Sequence, residues 1–172
     1  MKRSYKDLIK GLITNDRVCL SKLISSIESD PSSIFKIIDS VKRIPNKVYT
    51  IGVTGPPGAG KSTLTNQIIK KFRSMDLKIG VIAIDPSSPF TGGAVLGDRV
   101  RMQEHSLDTS VFIRSVGSRG DLGGLSSSTS SMIKLFDIFG MDIVIIETVG
   151  VGQTELDIIK ISDSVLVTLV PE

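Results

Sequence analysis

The stretch Gly55-Pro56-Pro57-Gly58-Ala59-Gly60-Lys61-Ser62 decides the fold of this 172-residue chain. An apolar, β-branched run at residues 48–54 precedes it and predicts a strand. Apolar residues at helical spacing follow it and predict a helix, namely Leu64, Ile68, Ile69 and Phe72. A strand, a glycine loop ending in Lys-Ser and a helix, in this order, are typical of a phosphate-binding loop. The sequence therefore predicts a nucleoside triphosphate-binding fold of the P-loop class.

The residue types in this loop suit phosphate chemistry. Glycines let successive backbone N–H groups turn toward phosphate oxygens, and the N-terminus of the following helix adds a favourable partial charge. Lys61 is expected to bring its charge to the β- and γ-phosphates, and Ser62 to supply a hydroxyl ligand to Mg²⁺. The loop residues predicted to contact the nucleotide are Gly55, Pro56, Pro57, Gly58, Ala59, Gly60, Lys61, Ser62 and Thr63. A dinucleotide-binding fold is disfavoured because the G-x-G-x-x-G spacing is absent.

The apolar pattern divides the chain into two zones. Residues 4–44 carry apolar positions at three-to-four spacing, which predicts helices, with Asp16 as a cap and Asp30-Pro31 as a break. From about residue 47, short β-branched runs alternate with helix-length segments, one of which contains the serine tract 126–131. The runs are 48–54, 79–84, 111–113, 143–146 and 164–170. This alternation predicts an α/β fold with a mainly parallel sheet and helices on both faces.

Bulk properties fit one globular unit. The 40% hydrophobic content suffices for one core, and we expect an N-terminal helical segment at 1–45 and a nucleotide-binding domain at 46–172. The 21 basic and 18 acidic residues are too evenly balanced to indicate nucleic acid as a partner. Since no apolar run reaches membrane-spanning length and the N-terminus fits no targeting peptide, we expect a cytoplasmic protein without a membrane partner. The one cysteine, Cys19, is expected to be a buried, inert thiol.

Three acidic residues are candidates for a metal site. Glu147 directly follows the fourth strand run as the carboxylate at its end, and Gly150 comes next at a position where its N–H is expected to meet a γ-phosphate. Asp85 follows the second run, and Asp98 opens a helix-like stretch. Ligands in open α/β sheets gather at the carboxyl edge, so all three acids are candidates for binding metal or positioning water. A solvated strand end or a helix cap is the alternative for each.

Four sequence blocks resemble a known family. They are 85–93, Leu96-Gly97-Asp98-Arg99-Val100-Arg101-Met102, Ser118-Arg119-Gly120-Asp121-Leu122-Gly123-Gly124 and Glu147-Thr148-Val149-Gly150-Val151-Gly152-Gln153. In this order and spacing they are similar to the signature of the MeaB/ArgK-type GTPases, a family that includes relatives of the human methylmalonic aciduria type A protein. The resemblance covers residues 4–172 and is weakest in the helical N-terminus.

The resemblance implies a Mg²⁺-dependent GTPase that binds GTP and GDP. It further implies a chaperone that controls cobalamin loading of methylmalonyl-CoA mutase and protects that enzyme. Ser62, Asp85, Asp98 and Glu147 match the family's magnesium positions, and the stretches around Asp98 and Gly150 match its nucleotide-sensing switch regions. The family continues with a guanine-reading Asn-Lys-x-Asp motif and a helical dimerisation arm. Neither is present in these 172 residues, so we expect a truncated family member, and guanine specificity and the homodimer stay open.

The remaining polar residues have plainer interpretations. His105 is the one histidine and is expected at the surface or an interface, on a helix over 97–106. Gln153 is a candidate for orienting the attacking water, which completes a predicted catalytic set of Lys61, Asp85, Asp98, Glu147 and Gln153. Four arginines are candidate charge donors to the transition state but are expected mainly to form salt bridges or to contact a partner: Arg99, Arg101, Arg114 and Arg119.

Two other functions share the same loop. A small-molecule or protein kinase would transfer the phosphate to an acceptor, as the transport-ATPase or kinase descriptions of similar sequences suggest. A nucleotide-dependent interaction module would show negligible turnover. The sequence favours the GTPase because it offers no arginine-rich lid, and because residues 147–153 are typical of a switch.

Overall fold

The computed structural model describes residues 4–41, 48–86, 103–105, 107–118, 124–148, 150 and 154–170. The helices are α1 (Tyr5–Ile13), α2 (Arg17–Ser29), α3 (Ser33–Val41), α4 (Lys61–Arg73), α5 (Gly124–Phe139) and α6 (Thr154–Ile161). The strands are β1 (Tyr49–Thr54), β2 (Ile79–Pro86), β3 (Val111–Ser118), β4 (Ile143–Glu147) and β5 (Ser164–Val167). All five predicted strands are confirmed. The third is longer than predicted, and the prediction of strand for residues 168–170 was wrong.

The five strands form one parallel sheet in the order β3-β2-β4-β1-β5. β4 lies between β2 and β1, and its register places Glu147 beside Val53 of β1. Because the strands are parallel, all their carboxyl ends lie at one edge. The loop that follows β1 and the carboxylate that ends β4 therefore lie side by side.

Helices cover both faces of the sheet, as predicted. α4 packs on one face, where its Ile69 joins a cluster with Val53, Val81 and Ile145. The opposite face carries Val144 and Ile146, which contact a second cluster containing Phe136 of α5. Successive residues of a strand point to opposite faces, so the uninterrupted apolar run of β4 serves both clusters. No helix in the described part of the chain has the length and apolar character needed to cross a bilayer.

The N-terminal helices pack on the second face through α5. The Asp16 carboxylate accepts hydrogen bonds from the backbone N–H groups of Val18 and Cys19, which confirms it as the cap of α2. Cys19 is fully buried, as expected. Leu20 and other apolar residues of these helices belong to the same core cluster as Phe136. The boundary predicted at 45/46 falls within 42–47, outside the described residues.

The serine tract 126–131 lies within α5, which confirms the prediction of a helix there. Ser131 shows how a polar residue fits in this partly buried helix, because its hydroxyl donates to the carbonyl of Pro31 at 3.1 Å. This bond links α5 to the break between α2 and α3.

Candidate nucleotide-binding site

The glycine loop leaves β1 at Thr54 and turns into α4 at Lys61. Gly58 and Gly60 have φ of 78° and 82°, in the left-handed region that side-chain-bearing residues rarely adopt. A Cβ built on either glycine would meet no described atom within 4 Å, so backbone angle rather than crowding requires glycine there. Gly60 is the N-cap of α4, and no described side chain caps this helix terminus. The backbone N–H groups of the first turn therefore have no described side-chain cap, and such groups at a helix N-terminus suit phosphate oxygens.

Lys61 lies inside the loop rather than in solvent. Its side chain is 7% exposed, and Nζ donates to the carbonyl oxygens of Gly55 at 2.7 Å and Pro56 at 2.9 Å. An ammonium group carries three donors and no acceptor, and phosphate oxygens are its stronger partners because they are charged. The residue is therefore placed to bind an anionic group at the glycine loop. Thr63, two residues further along α4, is exposed.

Ser62 contacts Glu147 across the carboxyl edge of the sheet. The Ser62 hydroxyl donates to Glu147 Oε1 at 2.5 Å, and Glu147 is only 4% exposed. A hydroxyl and a carboxylate are hard oxygen ligands of the kind that Mg²⁺ takes. Among the described residues no group of three or more His, Cys, Asp or Glu could bind a metal by itself. This donor pair fits a magnesium ion that also takes oxygens from water and phosphate.

Gly150 lies against the glycine loop. Its φ is 83°, and a Cβ built there would be 1.8 Å from the Gly55 carbonyl oxygen and 2.9 Å from Lys61 Nζ. Only glycine fits this close approach without moving backbone. The structure thus brings together the loop, Lys61, Ser62, Glu147 and Gly150.

The other predicted site residues are described only in part. The backbone of Asp85 lies in β2, two residues beyond Ala83, which pairs with Glu147. Its position at the carboxyl edge agrees with the prediction, but its side chain is outside the described residues. Asp98 and Gln153 also lie outside them.

His105 was expected at the surface or an interface, and the surface position is wrong because the side chain is buried. The described residues 103–105 form no α-helix, and the rest of the helix predicted over 97–106 lies outside the described residues. Residues Gln103–His105 form a 3₁₀ turn, His105 is 7% exposed, and its Nε2 lies 2.5 Å from Asn66 Oδ1 on α4. Burial is the main cause that lowers the pKa of His105, because it disfavours the charged ring. The side chain packs on α4 because Asn66 offers a hydrogen-bonding partner there.

Two ion pairs join the same segment to α4. Lys70 pairs with Glu104 at 2.5 Å, and Arg73 Nε pairs with Asp108 at 2.8 Å. Asn66, Lys70 and Arg73 are spaced four and three residues apart along α4, which puts them on one helix face. This spacing of polar residues on α4 was the sequence signal for the contact with Glu104, His105 and Asp108, and the sequence analysis did not use it.

Arg114 forms the salt bridge expected of it. Its guanidinium pairs with the Glu28 carboxylate of α2 and donates to Ser25 Oγ at 3.0 Å. β3 is therefore linked to the N-terminal helices. Three other candidate arginines lie outside the described residues: Arg99, Arg101 and Arg119.

Comparisons with known proteins show the family of this chain. The family model described as methylmalonyl-CoA mutase-associated GTPase MeaB matches residues 20–172. A GTPase candidate of Pyrococcus horikoshii is 51% identical over 165 residues, which cover 96% of this chain and 52% of that protein. The GTPase ArgK of Escherichia coli is 38% identical over 159 residues, covering 90% of this chain and 48% of the relative.

A mouse protein and a solved structure are similar as well. The mitochondrial methylmalonic aciduria type A homologue of Mus musculus is 34% identical over 178 residues, covering 95% of this chain and 43% of the relative. The crystal structure of an LAO/AO transport system kinase superposes with a TM-score of 0.75 at 27% identity, covering 98% of this chain and 51% of that one. The chain thus spans about half the length of these relatives.

Proposed function

Because the chain belongs to the MeaB family of methylmalonyl-CoA mutase-associated GTPases, we propose that it binds GTP in the glycine loop and hydrolyses it to GDP and free phosphate. The observation that carries this proposal is the pairing of Ser62 with Glu147 at 2.5 Å beside the buried Lys61. A hydroxyl, a carboxylate and an ammonium group then surround the place where a triphosphate would enter.

Each residue of the predicted site has a role in this reaction. Lys61 binds the β- and γ-phosphate oxygens, to which the first-turn N–H groups of α4 also donate. Ser62 and Glu147 would hold Mg²⁺, and Asp85 and Asp98 would bind it directly or through its waters. When bound, Mg²⁺ neutralises charge that develops on the β- and γ-oxygens. Gly150 donates its N–H to the γ-phosphate, and Gln153 orients the attacking water.

The partner of the proposed GTPase is methylmalonyl-CoA mutase. The family description names this enzyme, and the mouse relative is named for methylmalonic aciduria. GTP binding and hydrolysis then control cobalamin loading of the mutase and protect the loaded enzyme. We also propose that two copies of the protein form a homodimer. A stable complex of the purified mutase with this chain, formed with a GTP analogue and released with GDP, is the result expected in gel filtration.

A kinase is the second candidate, since the solved structural relative is named as one. Incubation with GTP labelled on the γ-phosphate separates the two reactions. A GTPase yields labelled free phosphate only, whereas a kinase yields a labelled acceptor. Lys61→Ala is expected to abolish either product. Lys71→Ala, an exposed lysine on the same helix α4, is the matched control and should leave the products unchanged.

A further inference from the structure

Three threonines lie side by side where three neighbouring strands end. Thr54 ends β1, Thr148 follows β4 and Thr168 follows β5, and β1 is the middle strand of the three. Thr148 Oγ1 donates to Thr54 Oγ1 at 3.0 Å, and Thr168 Oγ1 donates to the Thr54 carbonyl at 3.1 Å. We call Thr148, Thr54 and Thr168 the threonine row.

The hydroxyl groups of the row need an explanation beyond sheet pairing. Thr148 is 2% and Thr54 5% exposed, and burying a hydroxyl costs free energy that an isosteric valine would avoid. The backbone already pairs without the hydroxyls, since Thr148 N–H donates to Val53 at 3.0 Å and Thr168 N–H donates to Thr54 at 2.8 Å. The hydroxyl bonds therefore add a constraint on the side chain and carbonyl of Thr54.

Thr54 is the last residue before the glycine loop. The next residue, Gly55, is buried, and a Cβ built on it would lie 2.2 Å from the Thr168 carbonyl oxygen and 2.3 Å from Thr168 Oγ1. On its other side the Gly55 carbonyl accepts the hydrogen bond from Lys61 Nζ. The entry of the loop is thus fixed between Thr168 and Lys61.

The row also connects the two halves of the proposed magnesium site. Thr148 follows Glu147 directly, and Thr54 leads into the loop that presents Ser62. The hydrogen bond between Thr148 and Thr54 therefore links these two chain segments at the carboxyl ends of β4 and β1.

We propose that Thr148 and Thr168 are positioning residues for phosphate binding, which set the direction of the glycine loop through Thr54. This inference rests on the proposed function of the loop. It predicts an effect on nucleotide affinity that is separate from any effect on folding.

The decisive variant is Thr54→Val/Thr148→Val, because it removes both partners and leaves no orphaned hydroxyl. Replacing both partners of a buried hydrogen bond by apolar groups of the same shape is nearly neutral for stability. We expect a thermal unfolding midpoint close to that of the unsubstituted chain, together with an affinity for Mg²⁺-GDP about three- to tenfold weaker in calorimetry. Thr148→Ser keeps the hydroxyl and should bind within about twofold of the unsubstituted chain.

Thr168→Val provides a second measurement that does not endanger folding, since the Thr168 N–H still satisfies the Thr54 carbonyl. We expect about two- to fivefold weaker GDP binding, restored in Thr168→Ser. A folded double variant, or a folded Thr168→Val, that binds GDP as tightly as the unsubstituted chain overturns the role of the row. Failure of the unsubstituted chain to bind GDP is a different result, because it overturns the proposed function itself.

Discussion

The hydroxyl of Ser62 at the start of α4 donates a 2.5 Å hydrogen bond to the carboxylate of Glu147 at the end of β4. The two residues are 85 positions apart in the sequence and meet because β4 pairs directly with β1. Their contact places a hydroxyl and a carboxylate at the first turn of α4, which begins at Lys61. The first three predictions concern this nucleotide-binding site.

Replacing Lys61 by alanine should weaken nucleotide binding without unfolding the protein. Charge-assisted hydrogen bonds contribute roughly 1.5–3 kcal/mol each, so we expect about ten- to a hundredfold weaker triphosphate binding in calorimetry. The Lys71→Ala variant should bind normally, because Lys71 is exposed further along α4. Unchanged affinity in Lys61→Ala contradicts the assignment of the loop.

Replacing Glu147 by glutamine should impair hydrolysis more than diphosphate binding. Mg²⁺ held by Glu147 would neutralise charge that develops on the reacting triphosphate, so a weakened magnesium site should act mainly on the step that cleaves GTP. Phosphate release is expected to fall at least about tenfold, with GDP affinity changed by less than about threefold. The same split is expected for Asp98→Asn. Equal losses for GDP and GTP would indicate that these acids are structural.

Gly150→Ala should disturb the loop more than its backbone strain explains. A Cβ there would lie 1.8 Å from the Gly55 carbonyl oxygen, whereas one at Gly140 would meet nothing within 4 Å. Gly140 has nearly the same φ, 86° against 83°, and is therefore the matched control. Both variants should lose about 1–2 kcal/mol of stability from strain, but only Gly150→Ala should also lose nucleotide affinity. Equal affinities in the two variants would show that the crowding is harmless.

The stability of the protein should fall as His105 becomes protonated. Burial lowers the pKa of His105 from its ordinary value of 6.5, so the folded state binds the proton less readily than the unfolded state. This stabilising contribution is complete above pH 6.5 and is lost as the pH falls through the lower pKa of the folded protein. Denaturant unfolding of the protein should therefore show a steeper loss of stability below pH 6.5 than unfolding of His105→Gln.

The glutamine variant also controls for neighbouring carboxylates. The hydrogen bond from Arg73 lowers the pKa of Asp108, and the bond from Lys70 lowers the pKa of Glu104. Both acids lose their contribution at more acidic pH. The charge of His105 is the smallest cause that lowers either pKa, so the two proteins should differ little in this contribution. Parallel stability curves for the two proteins between pH 7 and 5 would exclude His105 as the cause.

The sequence by itself determined the glycine loop, the alternation of strands and helices, and the cap at Asp16. These features depend on neighbours a few positions apart, because glycine content, hydrophobic period and capping side chains act within a strand or one helical turn. The parallel sheet was predicted from the alternation of strands and helices. Glu147 could be predicted as a carboxylate at a strand end because an apolar, β-branched run directly precedes it.

Only the tertiary structure decided which of these elements meet. Hydrophobic period shows that β4 is buried on both faces but does not specify its neighbours, so the contact of Glu147 with Ser62 depends on β4 lying beside β1. The burial of His105 likewise depends on a polar face of α4, and the threonine row on three strands ending at one level. In each case the partners are distant in sequence, and packing of the sheet and its helices brings them within hydrogen-bonding distance.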